Sequence, residues 1–278
     1  MTAINPVTRQ RIKAYLETFI ENKIEDIKIR KTQTYSNAEK YLSRVSKKGR
    51  LKPFHAAIIP EEIGKINAFE RSFSTTLGTT FEECARLIAV DHHKKSIRGY
   101  DITNKISTSA LNEIEHQVSL FDRNSKNSVK PTIDEMIDAV LNARKTTDLE
   151  TRTVRADLYI CTNKDIEYFF EIKSPKPNKG QCLEVTQRIL RFHLLREIKR
   201  PNVISYYAMA YNPYGPTRDL YKWSIAKSYM PFDDGLVIGN EFWEIIGGPS
   251  TYKELLEIYR IVGEEKSKFM IDALAFGF

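Results

Sequence analysis

Three polar side chains in the middle of the chain, Asp157, Glu171 and Lys173, have types and spacing that suit hydrolysis of a phosphodiester. Residues 155–161 and 166–173 each alternate between apolar and polar positions, which predicts two β-strands joined by a turn. Side chains two positions apart in a strand point to the same face. Glu171 and Lys173 are therefore expected to emerge together at a strand end, with Asp157 on the neighbouring strand.

An acidic residue followed two positions later by lysine is a weak pattern by itself. It also occurs at Glu21/Lys23, Asp26/Lys28, Glu197/Lys199 and Glu264/Lys266. Those four pairs lie in segments with a helical period, where positions two apart diverge. The strand context distinguishes the fifth pair, at residues 171 and 173.

The chemistry of these three groups is that of a metal-assisted hydrolysis. Asp157 and Glu171 supply hard oxygen ligands for Mg²⁺ and leave sites open for water. The ion lowers the pKa of water and neutralises charge on the phosphate. Lys173 can position the attacking water, help to activate it or stabilise the developing negative charge. The alternative is a surface hairpin that carries a cross-strand ion pair.

Composition favours a polyanionic partner, because 43 basic residues against 36 acidic ones give the 278-residue chain a net charge of +7. An ordinary basic protein is the alternative. Cys84, Cys161 and Cys182 are widely spaced, which indicates reduced thiols in an intracellular protein. The polar start of the chain does not match a signal peptide, and no apolar run approaches the roughly 20 residues that span a bilayer. We therefore expect a cytoplasmic protein without membrane contact.

The apolar periodicity predicts a single α/β domain of 1–278. It contains an N-terminal helical and basic region at 1–65, a catalytic core at 66–215 and a C-terminal helical extension at 216–278. Within these regions, helices are predicted at 7–30, 79–90, 132–144 and 184–199 and from 252 onward, with a buried strand at 203–211. Residues 99–130 are polar and give no clear pattern.

Asp157, followed by an apolar strand that ends in Glu171-Ile172-Lys173, resembles the signature of the PD-(D/E)XK nucleases. The proline of that signature is Ala156 here. The resemblance implies that Asp157 and Glu171 bind the metal and that Lys173 serves catalysis. It also implies a mixed central β-sheet flanked by helices, with an α-β-β-β-α-β core. In that core a third strand follows the hairpin, the 184–199 helix comes next and 203–211 is the last strand.

Many members of this superfamily add a glutamate from the first core helix, which corresponds to residues 77–89. With Phe81 at the centre of its apolar face, Glu82 falls about 100° away and Glu83 about 200° away. Glu82 is therefore the better candidate for a further metal ligand, and Glu83 is expected to face solvent. Glu70 is the rival candidate. Each of them could instead be an ordinary solvated helix charge.

Residues 69–89, the hairpin and the 211–215 loop more narrowly resemble type II restriction endonucleases of the TdeIII group. This resemblance implies cleavage of a short palindromic site in double-stranded DNA, plausibly of the interrupted GGNCC kind. It also implies a homodimer, because a two-fold symmetric site matches a two-fold symmetric protein.

Further residues are candidates for contact with DNA through phosphates or base edges. The candidates lie in a basic arm, after the hairpin, on the following helix and in the 212–218 loop: Arg44, Lys47, Lys48, Lys176, Lys179, Gln187, Arg188, Arg191, Asn212, Tyr214 and Arg218. A solvated surface is the alternative for each. His92-His93 does not have the spacing of a metal site.

Two other functions remain open at this stage. One is a PD-(D/E)XK nuclease that acts in DNA repair, recombination or RNA processing. The other is a DNA-binding protein without catalysis, which would bind a specific sequence and never cut it.

Overall fold

The structure is a computed structural model that describes residues 2–28, 43, 45, 53–59, 61–123 and 130–276. It contains two compact units. The first comprises residues 1–8 and 78–255, and the second comprises 9–77 and 256–278. The predicted basic arm with Arg44, Lys47 and Lys48 lies outside the described residues.

The described residues form helices and strands in the following order. The elements are α1 (Pro6–Lys28), α2 (Pro53–Ile58), α3 (Glu61–His92), β1 (Lys95–Ser107), α4 (Thr108–Arg123), α5 (Ile133–Asn142), β2 (Leu149–Cys161), β3 (Glu167–Lys173), α6 (Lys179–Arg196), β4 (Val203–Met209), a 3₁₀ turn (Arg218–Leu220), α7 (Ser224–Tyr229), β5 (Leu236–Ile238), α8 (Asn240–Gly247) and α9 (Thr251–Phe276).

The first unit is built on a five-stranded mixed sheet with the order β1-β2-β3-β4-β5. The β1–β2 and β2–β3 pairs are antiparallel, and the β3–β4 and β4–β5 pairs are parallel. This arrangement confirms the predicted α/β class with a mixed central sheet and an N-terminal helix.

The predicted position of the third core strand was wrong. The sequence resemblance placed it after the hairpin, whereas β1 lies before it and pairs along β2 from Lys95↔Cys161 to Ser107↔Leu149. Pro175 and Pro177 follow β3, and the Asn178 side chain caps α6 directly afterwards. The chain therefore leaves β3 straight into a helix, because proline lacks the N–H group that a continuing strand needs.

Both faces of β3 are covered by helices, which is typical of a sheet with parallel strands. Phe169 stacks on Phe192 of α6, with ring centroids 5.0 Å apart. Phe170, on the opposite face, meets Phe242 of α8 edge to face at 5.4 Å. Glu171 and Lys173 belong to the Phe169 face by the period of two, and that face looks toward α6.

Local sequence signals locate several helix ends. The Thr132/Glu135 capping box is present at the start of α5, as predicted. Helix α6 begins at Lys179 rather than at residue 184, since Asn178 and Gln181 form a second capping box. It ends at Arg196 rather than at residue 199, because Glu197 takes a left-handed conformation with φ 56°.

The unassigned region 99–130 contains most of β1 and all of α4. Much of β1 is exposed, which explains why its alternation is weak in the sequence. The start of α4 is held from a distance by Asp148, which accepts hydrogen bonds from Ser109 N at 2.8 Å and Ser107 Oγ at 2.7 Å. A capping residue so far along the chain leaves no local signature.

The second unit is helical in its described part. It takes in most of α1, the first half of α3 and the later part of α9. Phe19 and Phe73 lie 5.3 Å apart, and ion pairs join Lys13 to Glu265 at 2.7 Å and Lys266 to Glu21 at 2.6 Å. Among the residues with a described placement, none of the helices has the length and apolar character to cross a membrane.

Candidate active site

The pairing of β2 with β3 brings the three sequence-predicted catalytic residues together. Leu158 pairs with Phe170, so Asp157 and Glu171 lie one position further along their strands. Asp157 Oδ2 accepts hydrogen bonds from the backbone N–H of Ile172 at 2.9 Å and from Lys173 Nζ at 2.6 Å. Lys173 Nζ also lies 3.3 Å from Glu171 Oε2. One ammonium group therefore contacts both carboxylates.

Glu171 is fully buried and is held by a second cation that lies on α6. Arg188 Nη1 donates to Glu171 Oε1 at 3.2 Å and to Oε2 at 3.0 Å. Burial raises the pKa of Glu171 from 4.5 to about 7, and the negative charge of Asp157 adds to this rise, while Lys173 and Arg188 oppose it. The two cations therefore only partly offset the burial of Glu171 beside a second carboxylate.

Lys173 is the cation that both carboxylates share. Burial by itself lowers the pKa of Lys173, but the charges and hydrogen bonds of Asp157 and Glu171 outweigh that effect, so the pKa is raised. The amine therefore carries its proton at neutral pH. Such a group is suited to stabilise negative charge rather than to accept a proton.

A cleft of about 570 Å³ opens beside Asp157. It is lined by Asp157, Glu82, Glu83, Arg86, Arg98, Gly99 and Arg155. Glu82, the favoured candidate for a further ligand, pairs with Arg98 at 2.8 Å. Within the described residues, no group of three or more His, Cys, Asp or Glu side chains is placed to hold a metal ion. Glu82 thus shares a cleft with Asp157 while it is bound to arginine.

The expectation that Glu83 faces solvent was wrong. Its side chain is 18% exposed, slightly less than the 20% of Glu82, and it accepts from Arg86 Nε at 2.9 Å. Ion pairs with Arg86 and Arg98 hold both glutamates at the cleft. The angular position of a residue on the helix does not predict such contacts. Glu70 lies in the second unit, where it is exposed and accepts from Ser74 Oγ at 2.8 Å.

The loop after β3 is fixed by three aromatic donors that the sequence reading missed. Ser174 O accepts from Tyr207 Oη at 3.0 Å, Pro175 O from Tyr221 Oη at 2.7 Å and Pro177 O from Trp223 Nε1 at 2.7 Å. These contacts position the residues that directly follow Lys173. The only sequence signal is the presence of Tyr and Trp in a core-forming stretch, since their polar atoms need partners when they are buried.

The predicted DNA-contact residues of α6 and of the loop before it lie around the site. Arg188 binds Glu171, and Arg191, one turn further on, is half-buried with no hydrogen-bond partner for its Nε among the described residues. Lys176 lies over the rings of Tyr214 at 5.2 Å and Trp223 at 5.9 Å.

Lys179 pairs with Asp122 at 2.5 Å, and Gln187 is half-buried on α6. The predicted base-reading loop makes internal contacts instead. Asn212 Nδ2 donates to Thr217 O at 2.7 Å, and its Oδ1 accepts from the backbone of Tyr214. Arg218 donates to Glu241 and to two backbone carbonyls, those of Phe232 and Leu236. These contacts hold the loop, and base reading by Asn212 or Arg218 would require them to break.

Comparison with known proteins identifies a family. The family described as "Type II restriction endonuclease, HinfI" matches residues 9–263 of this chain. The chain is 49% identical over 265 residues to the type II restriction enzyme HgiEI of Herpetosiphon aurantiacus, covering 95% of this chain and 96% of that protein. The type II restriction enzyme HgiCII of the same organism is 48% identical, with 95% and 97% covered.

A more distant relative comes from an archaeon. The type II restriction enzyme MjaII of Methanocaldococcus jannaschii is 24% identical, covering 91% of this chain and 73% of that protein. No solved structure gives a significant match. The family match and the high identity over nearly the whole chain show that this protein is a site-specific deoxyribonuclease and belongs to the HinfI family of type II restriction endonucleases.

Proposed function

We propose that this enzyme hydrolyses double-stranded DNA at a short specific site in a Mg²⁺-dependent reaction that uses Asp157, Glu171 and Lys173. The observation that carries the proposal is the single ammonium group of Lys173 in contact with both carboxylates, at 2.6 and 3.3 Å. An ordinary surface ion pair would be exposed, whereas Glu171 has 0% exposure and a raised pKa.

The donor set fits Mg²⁺. This ion is commonly held by one or two carboxylates together with water and substrate phosphates. Asp157 and Glu171 provide those carboxylates, and the repulsion between the two favours a divalent cation beside them. We propose Glu82 as a further ligand, with Glu70 as the rival. Glu82 lines the same cleft as Asp157, and it would have to give up its contact with Arg98.

Each residue of the site has a separate task in the proposed reaction. When bound, Mg²⁺ supplies positive charge to the phosphate and acidifies water. Asp157 and Glu171 hold the ion, and the backbone N–H of Ile172 fixes the Asp157 carboxylate. Lys173 stabilises the negative charge that develops on the phosphate. The aromatic contacts to residues 174–177 hold the loop beside Lys173 in place.

The narrower resemblances remain part of this proposal. The strand order of the site and the Asp157, Glu171 and Lys173 pattern support membership of the PD-(D/E)XK superfamily. The TdeIII-like character, a GGNCC-like site and a homodimer rest on sequence resemblance and on the symmetry of a palindromic duplex.

DNA contacts are proposed at the basic residues around the site. Arg188 on α6 contacts Glu171 of β3, Arg191 lies one turn further along α6, and Lys176 follows β3 by three residues. Their positive charge suits phosphates. The other proposed contacts are Arg44, Lys47, Lys48, Lys179, Gln187, Asn212, Tyr214 and Arg218.

The test is digestion of a sequenced plasmid with and without Mg²⁺, with the fragment ends mapped. We expect discrete fragments only with Mg²⁺. Asp157→Ala and Lys173→Ala should each lower the cleavage rate by at least about a thousandfold, which corresponds to several kcal/mol of transition-state stabilisation. Both variants should still bind the mapped duplex. Undiminished cleavage by either variant would reject the catalytic assignment, and discrete cleavage in EDTA would reject the metal requirement.

A further inference from the structure

Glu171 makes its charged contacts with two cations of the chain itself. Arg188 Nη1 spans both of its oxygens at 3.0 and 3.2 Å, and Lys173 Nζ lies 3.3 Å from Oε2. The side chain has no exposed surface. A metal ion that binds Glu171 must therefore replace at least one of these two cations.

Lys173 is the cation that is held more firmly. It is bound to Asp157 at 2.6 Å as well as to Glu171, and it sits on the same strand as Glu171. Movement of Lys173 would break its contacts with both carboxylates at once. A role in catalysis also requires it to stay beside the reacting phosphate.

The Arg188 side chain can leave Glu171 without displacing the catalytic strand. The side chain is one-third exposed, and its remaining contacts are long, at 3.7 Å to Glu184 Oε1 and 3.5 Å to Arg155 O. It comes from α6 rather than from the catalytic strand. A rotation of this side chain therefore breaks the pair with Glu171, at most also the longer pair with Glu184, and leaves the pairing of β2 with β3 intact.

The surroundings of Arg188 indicate which kind of ligand its guanidinium group would bind after it leaves Glu171. Arg191 lies one turn further on α6. Burial lowers its pKa, the negative charge of Glu115 opposes this, and the positive charges of Arg152 and Arg188 add to it. Arg152 and Arg155 are exposed and pair with Glu150 and Asp101 respectively. Among the described residues the buried Nε of Arg191 has no hydrogen-bond partner, and this donor beside the guanidinium group of Arg188 favours an anion with several acceptor oxygens, such as a DNA phosphate.

We propose that Arg188 occupies Glu171 in the DNA-free enzyme and transfers to a DNA phosphate when the duplex binds, which frees Glu171 for the metal ion. This inference rests on the proposed metal site and deepens it by assigning its regulation. Arg188 is then a positioning residue that couples the two ligands. Because such coupling is reciprocal, DNA raises the affinity for the metal, and the metal raises the affinity for DNA.

The first test measures Mn²⁺ binding to the DNA-free enzyme from the electron paramagnetic resonance signal of the free ion. Arg188→Met removes the competing charge and keeps the side-chain length. We expect Mn²⁺ to bind about tenfold more tightly to this variant, the scale on which partners of metal ligands change metal affinity. Arg188→Lys retains the charge and should restore affinity toward the wild-type value.

Arg196→Met is the matched control, because Arg196 joins the same helix to the same strand through Glu167 at 2.8 Å. We expect wild-type Mn²⁺ affinity for it. Equal or weaker binding by Arg188→Met would overturn the inference, and so would an equal gain in Arg196→Met, which would indicate general loosening. Failure of the underlying metal site looks different: Asp157→Ala would then bind Mn²⁺ as the wild type does.

The second test measures the affinity for the mapped duplex with and without Ca²⁺, with a gel to show that the duplex stays intact. In the wild type we expect Ca²⁺ to increase DNA affinity. Arg188→Met should raise metal affinity about tenfold only in the DNA-free enzyme. The factor by which Ca²⁺ increases DNA affinity should then be about tenfold smaller in this variant than in the wild type. Unchanged coupling in Arg188→Met would overturn the inference.

Discussion

Two glutamate–arginine pairs join strand β3 to helix α6, and they differ in their surroundings and in their expected roles. Glu171 pairs with Arg188 at 3.0 Å, and Glu167 pairs with Arg196 at 2.8 Å. The glutamates are four residues apart on a strand, about 13 Å, and the arginines are eight residues apart on a helix, about 12 Å. The matched spacing places the pairs at opposite ends of one strand–helix contact.

The surroundings of each pair explain the difference. Glu167 is the single carboxylate of its pair, and it also accepts from Tyr159 Oη at 2.7 Å, while Arg196 donates to Tyr100 Oη at 3.3 Å. Both tyrosines of this pair are neutral, so one arginine balances one acid. Glu171 lies beside a second carboxylate, Asp157, and is more deeply buried. An acid that pairs with one arginine among neutral groups stabilises the contact between strand and helix, whereas two acids that share cations suit the proposed divalent ion.

The largest effect is expected on the cleavage rate, which should distinguish Glu171 from Glu167. Glu171→Gln keeps the shape of the side chain and removes its charge, so the cleavage rate should fall by at least about a thousandfold through loss of the proposed metal ligand. Glu167→Gln makes the same chemical change at the other end of β3. We expect its rate to stay within about threefold of wild type, since removal of an outlying ion pair alters only local stability. Single-turnover cleavage of the mapped duplex measures both.

Circular dichroism on both variants serves as the control for folding. A loss of cleavage in Glu167→Gln as large as that in Glu171→Gln would show that the whole strand, rather than one end of it, is needed for catalysis. The comparison between the two pairs would then break down.

The second prediction concerns stability, where Glu171→Gln should be the more stable of the two variants although it is the less active one. A pKa of about 7 for Glu171 in place of 4.5 means that the folded protein takes up a proton more readily than the unfolded chain. This contribution to stability is fully present below pH 4.5 and is lost as the pH rises through 7. In EDTA at pH 8.5, Glu171→Gln should therefore be more stable than wild type, by up to about 3 kcal/mol.

Glu167→Gln should instead be less stable by about 2 kcal/mol, because it weakens hydrogen bonds to a charged group. Urea unfolding of wild type and both variants at pH 5 and pH 8.5 gives the two free energies. A destabilised Glu171→Gln protein at pH 8.5 would show that Glu171 is an ordinary structural ion-pair partner.

Strand β3 could be predicted from the sequence because the pattern that defines it lies within a few neighbouring residues. The period of two in residues 166–173 places Glu171 and Lys173 on one face, and a short turn determines that Asp157 lies beside them. The helix caps at Thr132 and Asn178 depend on neighbours three residues away. Patterns of this kind are complete within a few residues of sequence.

The partners of the site were not predictable, because they depend on long-range packing. Arg188 was expected to contact DNA, and nothing in its own helix indicates that it binds Glu171, 17 residues earlier. The internal role of Arg218 depends on Glu241, 23 residues later. The position of β1 was missed because two helices separate it from β2, with which it pairs.

A smaller effect is expected at the support of the catalytic end of β3. Trp223→Phe keeps an aromatic side chain, although a smaller one, and removes the N–H group that donates to Pro177 O at 2.7 Å. We expect a loss of stability of about 1 kcal/mol and a several-fold lower cleavage rate, because the loop after Lys173 becomes less well positioned. Thermal unfolding and single-turnover kinetics measure the two effects. An unchanged rate would show that the loop does not contribute to the difference between the ends of β3.

The smallest effect is expected at Lys199, which repeats the catalytic tripeptide letter for letter as Glu197-Ile198-Lys199. Glu197 closes helix α6 in a left-handed conformation, and Lys199 pairs with Asp138 at 2.5 Å, with both side chains about half exposed. Lys199→Ala should change stability by less than about 1 kcal/mol and cleavage by less than about twofold, since an exposed ion pair contributes little. Measured in parallel with Lys173→Ala, it tests whether the tripeptide or its strand is responsible for activity. Comparable losses in the two variants would refute the assignment, because only Lys173 lies on a strand that brings two carboxylates to one ammonium group.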